Sequence, residues 1–151
     1  MTCYRIGDPD GVHPLYDPAG SRLFPGRWNT PSTPMIYASE HYSTALLEKL
    51  VHAGGVLPPN QHFVTITIPN GIAYEMVTEH TLPGWHAADG GVSKDHGARW
   101  VSERRTAILI VPSVVARLDR NILINPDHPD AVGIAHGLPE PIWWDSRLFA
   151  R

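Results

Sequence analysis

Hydrophobic positions along this chain recur with two periods, and the switch between them outlines the elements. His62 to Ile68 alternates apolar and polar residues between Pro59 and Pro69, which predicts a strand. Cys3 to Ile6, Met35 to Ala38 and Ala73 to Val77 are shorter strand candidates. Ala107 to Val111 is a continuous apolar run ending at Pro112-Ser113, as expected of a central strand. Ile122-Leu123-Ile124 and Val132 to Ala135 are further strand candidates, and Trp143 to Phe149 closes the chain.

Between Ser39 and about Ala53 the period lengthens to that of a helix. Ser39 is the expected N-cap and Gly54-Gly55 the stop. On a helical wheel Tyr42, Leu46, Lys49, Leu50 and Ala53 share one face. Glu48 lies roughly opposite, with His41 and His52, while Leu47 and Val51 widen the apolar arc beside it. Glu48 is therefore expected to border a second, partly buried surface. A shorter helix is predicted over Ser93 to Glu103, with Trp100 and Val101 packing inward.

The stretch from Gly7 to Thr33 is rich in Gly, Pro, Asp and Asn and predicts a long irregular loop. Its Tyr16, Leu23, Phe24 and Trp28 argue that the loop is ordered against the body. Short strands with two helices between them, and neither repeats nor an internal linker, predict an α+β fold. A single domain is expected over residues 1–151.

Composition narrows the function classes. A hydrophobic content of 42% and a charged content of 18% describe a folded chain rather than a disordered one. With a formal net charge of −3 and no Lys/Arg block, direct nucleic-acid binding is not expected. No apolar run approaches the roughly 20 residues of a membrane-spanning helix. Met1 to Ile6 lacks the charged and apolar regions of a signal peptide. Cys3, the sole cysteine, excludes an internal disulfide and fits a reducing cytoplasm, the expected location. His86 and His96, or His128 and His136, stand in loop-like sequence without an HExxH or paired-cysteine pattern, so no metal site is expected. GxGxxG, P-loop and GxSxG motifs are absent, which argues against a Rossmann cofactor site, phosphoryl transfer and a nucleophile-elbow hydrolase.

Three residues suggest a different chemistry. Arg27 sits in a Gly/Pro loop, Tyr37 ends a short strand, and Glu48 interrupts the apolar run of the next helix. Cleaving the nicotinamide–ribose bond of NAD releases a pyridinium that departs neutral. No general acid is then needed, unlike ordinary glycosides, which use two carboxyls. One carboxylate can stabilise the oxocarbenium-like transition state. An arginine fork matches pyrophosphate oxygens, an aromatic face can hold the nicotinamide, and a serine hydroxyl can fix a carboxamide or ribose oxygen. Each residue also has a plainer reading: Glu48 as a solvated helix residue, Arg27 as a loop anchor pairing with Asp17 or bonding carbonyls, Tyr37 as core, Ser113 as a turn residue or a cap.

The order of segments resembles the RES-domain toxins, which are partnered with Xre-type antitoxins. The matching segments are Gly26-Arg27-Trp28-Asn29, Ile36-Tyr37-Ala38, Ala45-Leu46-Leu47-Glu48, Gly97-Ala98-Arg99-Trp100, Val111-Pro112-Ser113-Val114-Val115, Asn121 to Pro126 and Trp144 to Phe149. The resemblance implies an ADP-ribosyltransferase-like fold with a small split β-sheet core, flanking helices and an NAD cleft. It implies Arg27, Tyr37, Glu48 and Ser113 as the catalytic set, with Trp28 and Asn29 lining the same pocket. NAD+ would be substrate, with no resident cofactor. An Xre-type antitoxin would block the cleft and carry the DNA-binding function. The segment from Glu75 to His96 matches the family least well.

Three activities remain open at this level. NAD could be degraded by hydrolysis or phosphorolysis, which the resemblance makes the leading expectation. ADP-ribose could instead pass to a protein. The only acidic candidate near Glu48 on its helix, Glu40, lies on a different face, which favours water or phosphate as acceptor. The third activity is non-catalytic binding of a nucleotide or of the antitoxin. Trp143, Trp144 and Phe149 suggest an interface with the antitoxin or within a homodimer.

Overall fold

Strand β5 (Ile108–Pro112) pairs antiparallel with β6 (Arg120–Ile124), and alternate residues go to opposite faces. The computed structural model describes residues 1–149. Ile108, Ile110, Ile122 and Ile124 enter one apolar cluster, with Cys3, Ile36, Val64 and Ile66. Leu109, Val111 and Leu123 enter a second cluster on the other face, with Trp28, Met35, Trp85 and Trp100. A strand covered on both faces needs apolar residues at every position, which is why the Ala107 to Val111 run is unbroken.

Around this pair the sheet extends through β1 (Thr2–Gly7), β2 (Ile36–Ser39), β3 (His62–Thr67), β4 (Tyr74–Met76), β7 (Ala135–His136) and β8 (Glu140–Pro141). The strand order is β4-β5-β6-β2-β1-β3-β7, with β8 also on β3, and only β4 and β5 run parallel. β1 and β3 pair along six residues and β2 and β6 along four. β1 and β2 share the single pair Tyr4–Ser39. One half of the sheet is thus joined to the other at one point, the split core expected of the fold.

The helices are α1 (Ala19–Leu23), α2 (Tyr42–His52) and α3 (Gly91–Ser102). α3 buries Trp100, Val101 and Gly97, and Gly97 lies directly under the backbone of the 26–29 loop. Gly54 and Gly55 adopt positive φ after α2, as a helix stop requires. Among the described residues no helix is long and apolar enough to cross a membrane.

Four sequence expectations are corrected. Ser39 is not the N-cap of α2 but the last residue of β2, and the cap position is His41 with no side-chain bond. Pairing of Ser39 with Asn121 in the β2–β6 ladder outweighs its local capping preference. The loop from Gly7 to Thr33 contains the short helix α1, so the described residues hold three α-helices rather than two. Val132 and Gly133 belong to a 3-10 turn (Pro129–Gly133), which leaves only Ala135–His136 as strand. On α2 the most deeply buried positions are Thr44 and Ala45, whereas Leu47 and Val51 are exposed. The helix buries the turn that leads to Glu48, not its most apolar stripe.

A β-carbon at Gly97 would stand 1.9 Å from the Trp28 carbonyl oxygen, a backbone atom that cannot swing aside. Gly97→Ala should therefore lower unfolding free energy by about 3 kcal/mol or more, measured by urea denaturation.

Candidate active site

A cavity of roughly 340 Å³ opens where β1 and β2 diverge, walled on its remaining sides by α1, the residues after it, and α2. Its α2 wall is Ala45, Glu48, Lys49 and His52, spaced three and four residues apart on one helical face. From β2 come Tyr37 and Ser39, and from β6 comes Asn121. Tyr37 and Ser39 pair with Leu123 and Asn121, and Val111 pairs with Asn121 on the other side. One face of the sheet therefore changes from apolar at Leu109, Val111 and Leu123 to polar at Ser39 and Asn121 as it approaches the cavity.

Glu48 is fixed through one oxygen. Its Oε1 accepts from Ser113 Oγ at 2.8 Å and from Asn121 Nδ2 at 2.7 Å. Ser113 is fully buried behind the carboxylate, and its Oγ also accepts the Ala116 amide at 3.0 Å. One helical turn before Glu48, Thr44 donates to Asp119 at 2.6 Å and so ties α2 to the 113–119 loop. Glu48 Oε2 has no partner among the described residues and remains available to a ligand.

Tyr37 presents its ring rather than its hydroxyl. The hydroxyl donates to Asn29 Oδ1 at 2.8 Å and accepts from the Trp28 amide at 3.1 Å. Burial pushes the phenol well above its ordinary value, against the opposing Trp28 amide and Arg5 charge, so it stays neutral. Gly26 leaves the space this ring needs: a β-carbon there would lie 2.7 Å from the ring.

Arg5 supplies the guanidinium that lines the cavity. It donates through Nε to the Leu15 carbonyl and through Nη1 to the Tyr37 carbonyl at 2.8 Å. Burial lowers its pKa, opposed by Asp17 and Tyr37, yet an arginine keeps its charge under such a shift. Burial and the neighbouring Arg5 also lower the Lys49 ammonium, while Asp8 raises it. Glu48 is the only carboxylate lining the cavity among the described residues.

Of the residues singled out from sequence, Tyr37, Glu48 and Ser113 come together here. Arg27 does not line the cavity: its Nη1 donates to the carbonyls of Trp85 (3.1 Å) and Ala87 (2.7 Å). That contact holds the 85–90 segment before α3 against the loop. Trp28 is core, stacked on Trp85 with ring centroids 6.5 Å apart. Asn29 is fully buried and saturated, donating to the Ser21 and Thr30 carbonyls and accepting from Gly26 N and Tyr37. The sequence reading missed Arg5, Lys49, Asn121 and Ser39 as site residues. For Asn121 and Ser39 a signal existed, namely a polar residue two positions from an apolar one in a strand, on the same face.

The sequence pattern of the RES domain matches residues 2–145. The chain belongs to the RES-domain family. Among its relatives, the Prs ADP-ribosylating toxin of Sphingobium sp. (strain YBL2) is 42% identical over 138 residues, covering 88% of this chain and 86% of the relative. Toxin Res of Pseudomonas putida is 31% identical to this RES-domain chain, covering 82% of it and 86% of the relative. Toxin Res of Photorhabdus laumondii is 29% identical, covering 83% and 82%. A chain from the crystal structure of the M. tuberculosis MbcT–MbcA toxin–antitoxin complex superposes with a TM-score of 0.76 at 16% identity, covering 94% of this chain and 84% of that one. At that identity the likeness speaks to the fold.

Tyr37→Phe separates the two tasks of this residue. Losing the bonds to Trp28 N and Asn29 Oδ1 should cost about 1–2 kcal/mol in denaturant unfolding, because Asn29 Oδ1 loses a buried donor. Ligand affinity measured by calorimetry should change less than twofold or so, since the ring face is retained.

Proposed function

We propose that this RES-domain toxin cleaves the nicotinamide–ribose bond of NAD+ in the cavity between β1, β2 and α2. The observation that carries the reading is the carboxylate of Glu48, anchored through Oε1 with Oε2 free, in a cavity that also presents Arg5, Lys49 and the Tyr37 ring. Nicotinamide leaves as a neutral ring, so one carboxylate suffices where most glycosidases need two. Glu48 faces the ribose and stabilises positive charge as it develops there. The Tyr37 ring supports the nicotinamide. Arg5 and Lys49 attract the pyrophosphate, Arg5 with the planar donor geometry suited to paired oxygens. Ser113 acts through Glu48. Arg27, assigned to the phosphates from sequence, here serves the site by pinning the 85–90 segment, and NAD+ enters as substrate rather than cofactor.

Depletion of NAD by water or phosphate as acceptor is the leading outcome, because among the described residues no second carboxylate lines the cavity to activate a protein nucleophile. A specific observation favours a second reading: the relative at 42% identity is named for ADP-ribosylation. Transfer of ADP-ribose to a protein would use the same bond cleavage with a different acceptor. For a partner we propose an antitoxin that occupies the cavity, in keeping with the toxin–antitoxin complex to which the fold is similar. A carboxylate of that antitoxin would suit the Arg5 and Lys49 side. Trp143, 80% exposed, offers an apolar contact for it or for a second copy of the chain.

Radiolabelled NAD+ incubated with the purified chain, with and without phosphate and with cell extract, tests both readings. Nicotinamide release is expected from the wild type. Glu48→Gln should keep the fold by circular dichroism and lower release by about a thousandfold, the scale of removing one transition-state charge contact. Label in free ADP-ribose or its phosphate supports degradation, and label on a protein band supports transfer. An unchanged rate in Glu48→Gln would remove the residue from its role.

A further inference from the structure

The bonds at Glu48 Oε1 continue into a chain. A carboxylate only accepts, so the Asn121 amide must turn Nδ2 toward it. Asn121 Oδ1 then faces β2, where Ser39 Oγ donates to it at 2.8 Å. Ser39 is 4% exposed and sits directly opposite Asn121 in the β2–β6 ladder. The carboxylate thus fixes which way the amide turns, and the buried Ser39 hydroxyl holds its Oδ1 from behind on a rigid strand pair.

The fold alone gives no reason for this arrangement. The in-phase neighbours Leu123 and Val111 are apolar, and an apolar residue at 121 would continue the cluster they belong to. Burying a hydroxyl and an amide costs free energy unless both are bonded, and here the bonding ends on Glu48. Ser113, just past the end of β5, and Asn121, on β6, both reach Oε1, which stops rotation about the last torsion of Glu48, an otherwise soft one. Oε2 takes a bond from neither donor.

We propose that Asn121, oriented by Ser39, is a positioning residue that holds Glu48 so that Oε2 meets the ribose as its positive charge develops. The inference rests on the NAD reading above. Its kinetic signature is a loss in kcat rather than a rise in KM, because the contact sets geometry at the reacting centre and does not supply ground-state affinity.

Asn121→Asp keeps shape and volume but places a second carboxylate against Glu48, where two such groups share a proton. The other titratable groups lining the cavity with Glu48 are Tyr4, Arg5, Tyr37, Lys49 and His52, with Asp119 bonded to Thr44 of α2, and all are retained. Nicotinamide release by the full chain is measured across pH for wild type, Asn121→Asp and Ser39→Ala, with melting temperatures alongside. For Asn121→Asp we expect kcat to fall about 10- to 100-fold, KM to stay within about threefold, and the acid limb to move to higher pH. Ser39→Ala should lower kcat by about 3- to 10-fold and leave the acid limb in place. A folded Asn121→Asp with unchanged kcat and pH profile overturns the inference, as does a rise in KM at constant kcat. Should Asn121→Asp fail to fold, Ser39→Ala decides, and an unchanged kcat there overturns the inference. A wild-type chain that releases no nicotinamide overturns the NAD reading itself, and the inference falls with it.

Discussion

The split between β1 and β2 is the constraint on which the rest of this molecule depends. Two strands joined by one residue pair leave backbone polar groups that a full ladder would satisfy. One of these, the Tyr37 carbonyl, is met by Arg5 reaching across the gap at 2.8 Å. A guanidinium is suited to the task because it can bridge several carbonyls while keeping its charge when buried. The opening becomes a cavity instead of collapsing because α1 and α2 close its sides and Arg5 props it. The cation that a nucleotide's phosphates would meet is thus first a structural substitute for missing strand hydrogen bonds.

The same opening explains how residues distant in sequence reach one carboxylate. Glu48 and Ser113 are 65 positions apart, and Glu48 and Asn121 are 73 apart. α2 follows β2 and runs beside the split, while β5 ends and β6 begins next to it. Charge-assisted hydrogen bonds of this kind contribute about 1.5–3 kcal/mol each, more than a typical neutral bond. Their shared acceptor couples them, so removing either donor also weakens the geometry of the other.

The sequence made the sheet legible where packing follows periodicity. β3 alternates, β5 and β6 are continuous, and all three lie within a residue or two of their predicted spans. Glu48 was legible because it interrupts an apolar helix. The start of α2 was not, since a serine before a helical run favours capping locally and only its cross-strand partner Asn121 shows that it is strand. The choice between arginines was also out of reach. Arg27 has the glycine and proline neighbours of a ligand loop, but which guanidinium enters the cavity depends on where the sheet divides. Ser113 came through resemblance, because a serine after a proline is locally indistinguishable from a turn residue. Asn121 stands within a matched segment, and strand phase, two residues from Leu123, places it on the same face as the site.

On the proposed reaction, the charge being managed does not appear or vanish; it moves. Bound NAD+ carries its positive charge on the nicotinamide ring, and bond cleavage shifts it to the ribose a few ångströms away. A Tyr37 face attracts the cationic ring in the ground state and loses that attraction as the ring becomes neutral. Only groups that gain more than Tyr37 loses can accelerate the step. Arg5 and Lys49 oppose the ribosyl cation, so their net benefit must come from phosphate binding at a distance from it. That leaves Glu48 as the residue whose interaction strengthens along the reaction coordinate. The strengthening depends on where one oxygen lies, since a carboxylate free to rotate would spend little of its time in the productive geometry. Fixing Oε1 by two donors on the rigid side of the split keeps the other oxygen committed to the side from which the ribose approaches.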